Sequence, residues 1–391
     1  MHTTDIQQNT PKKAFFESPI DQQTVEKYLI DLKAGKPSEI KKESSKVLKY
    51  IQSLNEKNKE QRFTFIDLFA GVGGMRLGFE AHGGKCVMTS EVDQKALATY
   101  FCNFGEMVPE NLRDITKINE KEVPEHDILL GGFPCQAFSI AGERKGFQDT
   151  RGTLFFDIER IIEAKRPKAI LLENVKGLLN HNGGKTYQTI EKILSDKLGY
   201  KVSYKVMNTM EYGNVPQTRE RVYIVGIRKD LVHSDFEFSF PEPIKLTKKI
   251  SNMLQKKQSD ENLYYDRFDI HTQLKKEIKK TDTIYQWRRV YVRENKSNAC
   301  PTLTANMGTG GHNVPLIKEK ETGRIRKLSP RECANFQGFP KNYYIPKFMA
   351  NSHLYKQFGN SVSVPVLDRV CAQILASVDL QTTMKKHKIL N

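Results

Sequence analysis

The sequence predicts an α/β fold: a doubly wound, mostly parallel sheet with helices on both faces, joined to a smaller irregular domain. Three observations carry that expectation. Short apolar runs alternate with helical stretches from Phe63 to about Pro241, the pattern of a sheet built from strand–helix–strand crossovers. Two of the runs, "DILLGGF" and "AILLENV", are nearly unbroken in apolar character, which suits central strands buried on both faces. Beyond Pro241 the alternation stops. The chain turns basic, aromatic and rich in polar turns until helical texture resumes at "SPRECANFQGF" and "SVSVPVLDRVCAQILASV".

In chain order, residues 1–62 form an N-terminal extension, helical or flexible. "TVEKYLIDL" and "SSKVLKYIQSL" are its helical stretches, and Val47, Leu48, Ile51 and Leu54 recur at three to four residues. Contact with a charged partner and simple disorder are both open for it. Residues 63–241 hold the strands "FTFIDLFAG", "KCVMTSEVD", "HDILLGGFP", "KAILLENV" and "RVYIVGIR", with helices such as "MRLGFEAHG" and "TLFFDIERIIEAKRP" between them. Residues 242–325 read as an inserted second domain, and 326–391 as a return to the first domain ending in a helix. No internal repeat is visible.

Composition narrows the class. The 391 residues are 38% hydrophobic and 28% charged, and mean hydropathy is −0.56. No apolar run approaches the roughly 18–20 residues that span a bilayer. The start, "MHTTDIQQNTPKKAFF", lacks the apolar core of a secretory signal. A cytoplasmic protein without a membrane partner is expected. None of the six cysteines falls in a CxxC pair or shows zinc-ligand spacing, so neither a metal nor a disulfide framework is expected. A net charge of +16 points to a polyanionic partner, a generally lysine-rich composition being the alternative. Position favours the partner: residues 242–300 carry 14 Lys and Arg against 8 Asp and Glu, and Trp287 sits there beside Arg288 and Arg289.

The chemistry gathers where strands end. "DLFAGVGG" follows a strand and opens a helix; Gly71, Gly73 and Gly74 permit a sharp turn and close approach of a ligand. Glu91 ends the next strand, 18 residues after Gly73, where an acid meets ribose hydroxyls in nucleotide-binding folds. The loop is not GxGxxG and no GKT or GKS follows, so an adenosyl ligand without phosphates fits better than NAD or ATP, with Phe69 placed to meet an adenine ring. Asp114 suits the adenine amine or, taken alone, a helix cap. Cys135 follows "DILLGGF"; an inert core thiol, a metal ligand and a nucleophile are all open for it. Glu173 and Asn174 end the next apolar strand, and Arg219 and Arg221 enter a later one, where Arg221 is able to pair with Glu173. A thiol, a buried acid and a cation beside a nucleoside cofactor make a coherent catalytic group.

The blocks "DLFAGVGG", "GGFPCQAFS", "RGTLFFDI", "LLENVKGL", "QTRERVYIVG", "RKLSPRECANFQGFP" and "QFGNSVSVPV" stand in one order from about Phe63 to Val370. So ordered, the sequence resembles the cytosine-5 DNA methyltransferases, the bacterial restriction–modification type in particular. The resemblance implies the Rossmann-like sheet of class I S-adenosylmethionine-dependent methyltransferases, with residues 242–325 as target-recognition domain. It implies that Cys135 attacks C6 of a flipped cytosine, that Glu173 holds N3, and that Arg221 orients the base, with Asn174 and Arg219 completing the group. S-adenosylmethionine would supply the methyl group and leave as S-adenosylhomocysteine. Phe69, Gly71, Gly73, Gly74, Glu91, Val92, Asp114, Pro134, Leu154, Asn360 and Ser361 would face it. Val92 departs from the family, which often has an aromatic residue there to cover adenine.

The resemblance further implies double-stranded DNA as partner, touched by Gln136, Ser139 and Arg144 in a closing loop and by Arg288, Arg289, Arg293, Thr302 and Gly310 in the recognition domain. A monomer, a short GC-rich palindrome such as GCNGC or GGCC, and a cognate restriction endonuclease are expectations of the same kind. A methyltransferase of the same superfamily acting on transfer RNA, and a DNA-binding repressor that keeps a dead methyltransferase fold, are the competing readings.

Overall fold

The computed structural model describes residues 20–55, 61–134, 154–256, 258–295, 299–308 and 312–378. The chain opens with α1 (Gln22–Asp31) and α2 (Pro37–Asn55), then β1 (Phe63–Leu68), α3 (Gly74–Glu80), β2 (Gly84–Ser90), α4 (Gln94–Phe104) and β3 (Ile128–Gly131). It continues through α5 (Leu154–Lys165), β4 (Ala169–Val175), α6 (Lys185–Lys192), β5 (Tyr200–Asn208), α7 (Thr209–Tyr212), β6 (Gln217–Thr218) and β7 (Glu220–Arg228). A second region holds α8 (His271–Glu277), β8 (Tyr285–Arg288), β9 (Tyr291–Glu294), β10 (Cys300–Pro301), β11 (His312–Lys318) and β12 (Ile325–Lys327). Helices α9 (Pro330–Phe336), α10 (Asn351–Asn360) and α11 (Val364–Ser377) follow.

Six strands form one sheet in the order β2-β1-β3-β4-β7-β5. The first four are parallel, and β7 runs antiparallel to both neighbours. Their apolar side chains alternate between two cores. One face packs under α3 and α11 through Phe65, Phe79, Leu171, Val225 and Leu367; the other packs under α5 and α6 through Ile66, Leu129, Ile158, Leu172 and Ile190. Local chemistry sets the helix ends: Asp93 caps α4 by accepting from the amides of Lys95 and Ala96, and Gly105 ends it at φ 69°. Ser329 and Glu332 close a capping box on α9, with Pro330 in its first turn.

The doubly wound, mostly parallel sheet expected from the sequence is present. Two features differ in detail. β5, whose "YKVSYKVMN" alternates polar and apolar residues, was not among the expected strands. The segment expected to be irregular holds a four-stranded antiparallel sheet, β12-β11-β8-β9, over a small core of Tyr265, Leu274, Tyr285, Val314 and Leu316. Its strands are short and half polar, which hides them from a search for apolar runs.

Helices α1 and α2 dock on the main body. The buried Glu43 carboxylate accepts from the amides of Lys347 and Phe348 and from the Tyr344 hydroxyl, while Tyr28 stacks on Phe101 of α4. The same stretch reaches the glycine loop, because Tyr343 donates to the Val72 carbonyl at 2.7 Å. Among the described residues no helix is long and apolar enough to cross a membrane.

Candidate active site

Strand direction decides what meets at the carboxyl edge. β1, β3 and β4 all end there and deliver the 69–74 loop, Gly132–Pro134 and Glu173–Asn174. β7, being antiparallel, begins there, so Arg221 pairs in register with Val175 at the end of β4. These segments, with Leu154 at the start of α5 and the α10–α11 junction, enclose a cavity of about 490 Å³.

At one end the loop is strained into a cradle. Phe69, Gly71 and Gly73 all have positive φ, at 58°, 56° and 78°, a conformation that glycine tolerates and phenylalanine adopts only when its surroundings hold it. Glu91 braces the turn: its carboxylate accepts from the Gly71 amide at 2.7 Å and the Asp93 amide at 2.7 Å. Each oxygen keeps a second lone pair for a hydroxyl donor. Burial pushes the Glu91 pKa up against those two bonds. Asp114 lines the cavity and also caps a short turn, accepting from the Thr116 amide and hydroxyl. Phe69, Gly71, Gly74, Val92, Pro134, Leu154, Asn360 and Ser361 line it as well. Gly73 does not: a Cβ there would lie 2.3 Å from the Phe104 ring, so its role is packing behind the loop.

At the other end sits Glu173, 8% exposed. Arg221 Nε lies 3.2 Å from its Oε1, an ion pair without hydrogen-bond alignment, because Oε1 has no hydrogen-bond donor. Burial raises the Glu173 pKa although Arg221 and Arg219 oppose the shift. Asn174 Nδ2 donates to the Phe133 carbonyl at 2.9 Å and ties the end of β4 to the segment leading into Pro134. Arg219 lines the cavity too, but its guanidinium donates to the carbonyls of Leu303, Gly359 and Ser361. It clamps the α10–α11 junction to the segment around Leu303. Burial and the charge of Arg221 pull its pKa down to about 9, which leaves it charged at neutral pH. Cys135, Gln136, Ser139 and Arg144 lie outside the described residues. The other five cysteines are buried and free, and burial pushes their thiols up, Cys86 to about 12. None of those five is a candidate nucleophile.

Sequence reasoning missed Gln357. It is 6% exposed and lines the cavity, its Oε1 accepts from Thr99, and its Nε2 has no partner among the described residues. The signal was its place in "QFGNSV", three residues before Asn360. Gln217 was missed as well; it bonds the Phe336 carbonyl, Gln337 and the Leu303 amide at the joint between the two sheets.

The residues expected to face a polyanion divide. Arg288, Arg293 and Thr302 line a second cavity, of about 230 Å³, between the antiparallel sheet and β6. Arg289 does not line it; it sits at φ 51° in the β8–β9 turn, next to Val290, which is 81% exposed. Gly310 lies outside the described residues.

Comparison with known proteins agrees with this geometry. A family model described as C-5 cytosine-specific DNA methylase matches residues 63–376. The chain is 50% identical over 316 residues to the type II methyltransferase M.Bsp6I of Bacillus sp. (strain RFL6), covering 80% of this chain and 98% of that protein. It is 36% identical over 394 residues to the type II methyltransferase M.MspI of Moraxella sp., covering 98% and 88%. A crystal structure of the S. pombe Dnmt2 methyltransferase superposes with a TM-score of 0.65 at 19% identity, covering 81% of this chain and 99% of that one. At that identity the likeness speaks to the fold alone.

Proposed function

The chain belongs to the C-5 cytosine-specific DNA methylases, and from that premise we propose that it methylates C5 of a cytosine flipped out of a short duplex site, as part of a restriction–modification system. The observation that carries the reading is Glu173: a buried carboxyl of raised pKa, ion-paired to Arg221, sharing one cavity with the Glu91-braced glycine loop.

The cavity suits S-adenosylmethionine. Glu91 offers free lone pairs to ribose hydroxyls, Phe69 an aromatic face to adenine, and the orphaned Gln357 amide a donor to the amino-acid end. When bound, that cofactor supplies an electrophilic methyl group. The chain's own residues make the cytosine ready to accept it. C5 is a poor nucleophile until a thiolate adds to C6, and Cys135, next after Pro134, is the only thiol not excluded by burial. Glu173, whose burial shifts it toward the proton-bearing form, donates to N3 as electron density shifts toward the ring. Arg221 holds the base and steadies Glu173. Loss of the C5 proton to a base then expels Cys135 and restores the ring. Because C5 and C6 are stacked inside duplex DNA, the base must leave the helix first. Residues 242–325 act as the recognition part, and GCNGC or GGCC is the class of site expected.

The test is a duplex carrying 5-fluorocytosine at the target. Wild type should form a stable covalent adduct, and Cys135→Ala should lose both adduct and methylation while still binding DNA. Turnover on ordinary DNA without an adduct would refute the Cys135 route, and methylation of transfer RNA alone would refute the DNA reading. Bisulfite sequencing of DNA from cells expressing the chain reads out the site.

A further inference from the structure

We infer that the cavity in the seam between the antiparallel sheet and β6 is a guanine-reading subsite, in which Gln286 fixes the plane of the Arg288 guanidinium and Arg293 supplies a second one. The inference rests on the DNA-methylating reading above.

The lining follows from strand alternation. Along β8, Tyr285 is buried in the small core and Trp287 packs against it, so Gln286 and Arg288 share the opposite face. Arg293 of β9 stands directly across from Gln286 and joins them. Thr218, Thr302 and Asn313 close the cavity from β6, the 300–304 segment and β11.

Charge then sets this place apart. Two other arginines nearby are neutralised: Arg324 by Glu261 and Asp266, Arg326 by Glu319 and Glu332. Among the described residues no carboxylate lines the seam cavity. Arg293 makes no hydrogen bond or ion pair with a described residue, and the one partner of Arg288 is Gln286, whose Oε1 accepts from its Nε at 2.9 Å. Two uncompensated guanidiniums facing one half-open cavity repel each other, and the arrangement calls for an incoming group rich in acceptors.

Geometry favours a base edge over a phosphate. A phosphate needs positive charge from any angle, whereas Gln286 holds Nε and thereby orients the two terminal nitrogens of Arg288 as a fixed fork. Guanine presents O6 and N7 side by side in the major groove, the pair that such a fork matches. The neutral groups Thr302, Asn313 and Gln286 add directional contacts. The subsite is also coupled to the catalytic end. Thr302 donates to the Thr218 carbonyl, and β6 pairs in parallel with β10. The next residues are Arg219, clamped on three carbonyls, and Arg221 on Glu173. A guanine here would neighbour the target cytosine.

The test uses the full chain and a set of duplexes bearing the bisulfite-determined site, with each guanine replaced in turn by 7-deazaguanine, which lacks N7. For one guanine, wild type should lose at least about tenfold in kcat/KM. Arg288→Ala should lose about as much on the natural duplex and show no further loss on that analogue, the signature of a direct contact. Gln286→Leu should give a partial loss at the same guanine, and Arg289→Ala none specific to it. Affinity for S-adenosylhomocysteine, unchanged in all variants, shows that they are folded. Equal weakening of Arg288→Ala on every duplex, with a salt dependence shallower by about one phosphate contact, overturns the guanine subsite in favour of a backbone contact. Losses in the variant and the analogue that simply multiply overturn it as well. Absence of any methylated site is a failure of the functional reading instead, and is seen first.

Discussion

At the carboxyl edge of the parallel sheet, arginine is already spoken for: Arg219 bonds three carbonyls and Arg221 faces Glu173. In the seam cavity, among the described residues, Arg288 has only the neutral Gln286 and Arg293 has no side-chain partner. The first cavity is organised by the fold before any ligand arrives, so its groups act through preset pKa and position. The second holds its charge for a partner that brings its own acceptors. Chemistry belongs where the protein has prearranged the electrostatics, and recognition where it has left them unfinished.

The sharpest way to break this contrast is Glu173→Gln. The amide keeps the shape but cannot supply the proton, and the methyl-transfer rate in a single turnover should fall by about 10²–10⁴-fold. Affinity for S-adenosylhomocysteine should stay the same. A loss below about tenfold would mean that the raised pKa of Glu173 does no chemistry. Next comes a matched pair, Arg219→Met and Arg288→Met. The first orphans buried carbonyls of Leu303, Gly359 and Ser361 and should cost about 3 kcal/mol of stability; the second should leave Tm unchanged. Equal effects on thermal unfolding would erase the distinction between the cavities.

A pH-dependent effect lies beneath the glycine loop. Asp67 is the penultimate residue of β1, is 1% exposed, and neither carboxylate oxygen has a hydrogen-bond partner among the described residues. Burial pushes its pKa up to about 8, against the charge of Arg76 and with Glu106 and Glu91 adding to the rise. In the unfolded chain the group ionises near 4. Between those values the folded state keeps a proton that the unfolded state has lost, so stability falls as pH rises through the window. Asp67→Asn removes that loss. Its Tm should match wild type near pH 4 and exceed it above pH 8; a constant offset across the range would place the effect elsewhere.

Part of the carboxyl edge was legible because Glu173 and Arg221 lie at the ends of apolar strands. Glu173 after "AILL" and Arg221 before "VYIVG" are placed by hydrophobic runs alone. What brings them together was not legible: the reversed direction of β7 is decided by pairing with β4, and no local pattern encodes it. Arg219 shows the converse. A charged residue at a strand mouth reads as chemistry, yet its bonds to three carbonyls come from segments up to 142 residues away in sequence. Gln286 carries no motif, and it stands out only because its Oε1 accepts from Arg288 Nε two residues on. The N-terminal helices read as an appendage because their partners, Tyr344 to Phe348, are some 300 residues downstream.

Val92 offers the mildest and most exacting test. Val92 lines the large cavity while remaining 69% exposed. It follows Glu91, so an adenine bound as proposed would leave one face in water at this rim. Val92→Phe would lay a flat apolar surface over that face. An aromatic contact contributes about 0.5–1.5 kcal/mol beyond simple burial, so S-adenosylhomocysteine should bind about 2–10-fold tighter by calorimetry. The methylated sequence should not change, because the seam cavity is untouched. Turnover should slow where product release limits it, since the product binds through the same face. If Val92→Phe leaves affinity unaltered, the adenine end of the cavity lies elsewhere, and the preset half of the contrast would have to be redrawn around Glu173 alone.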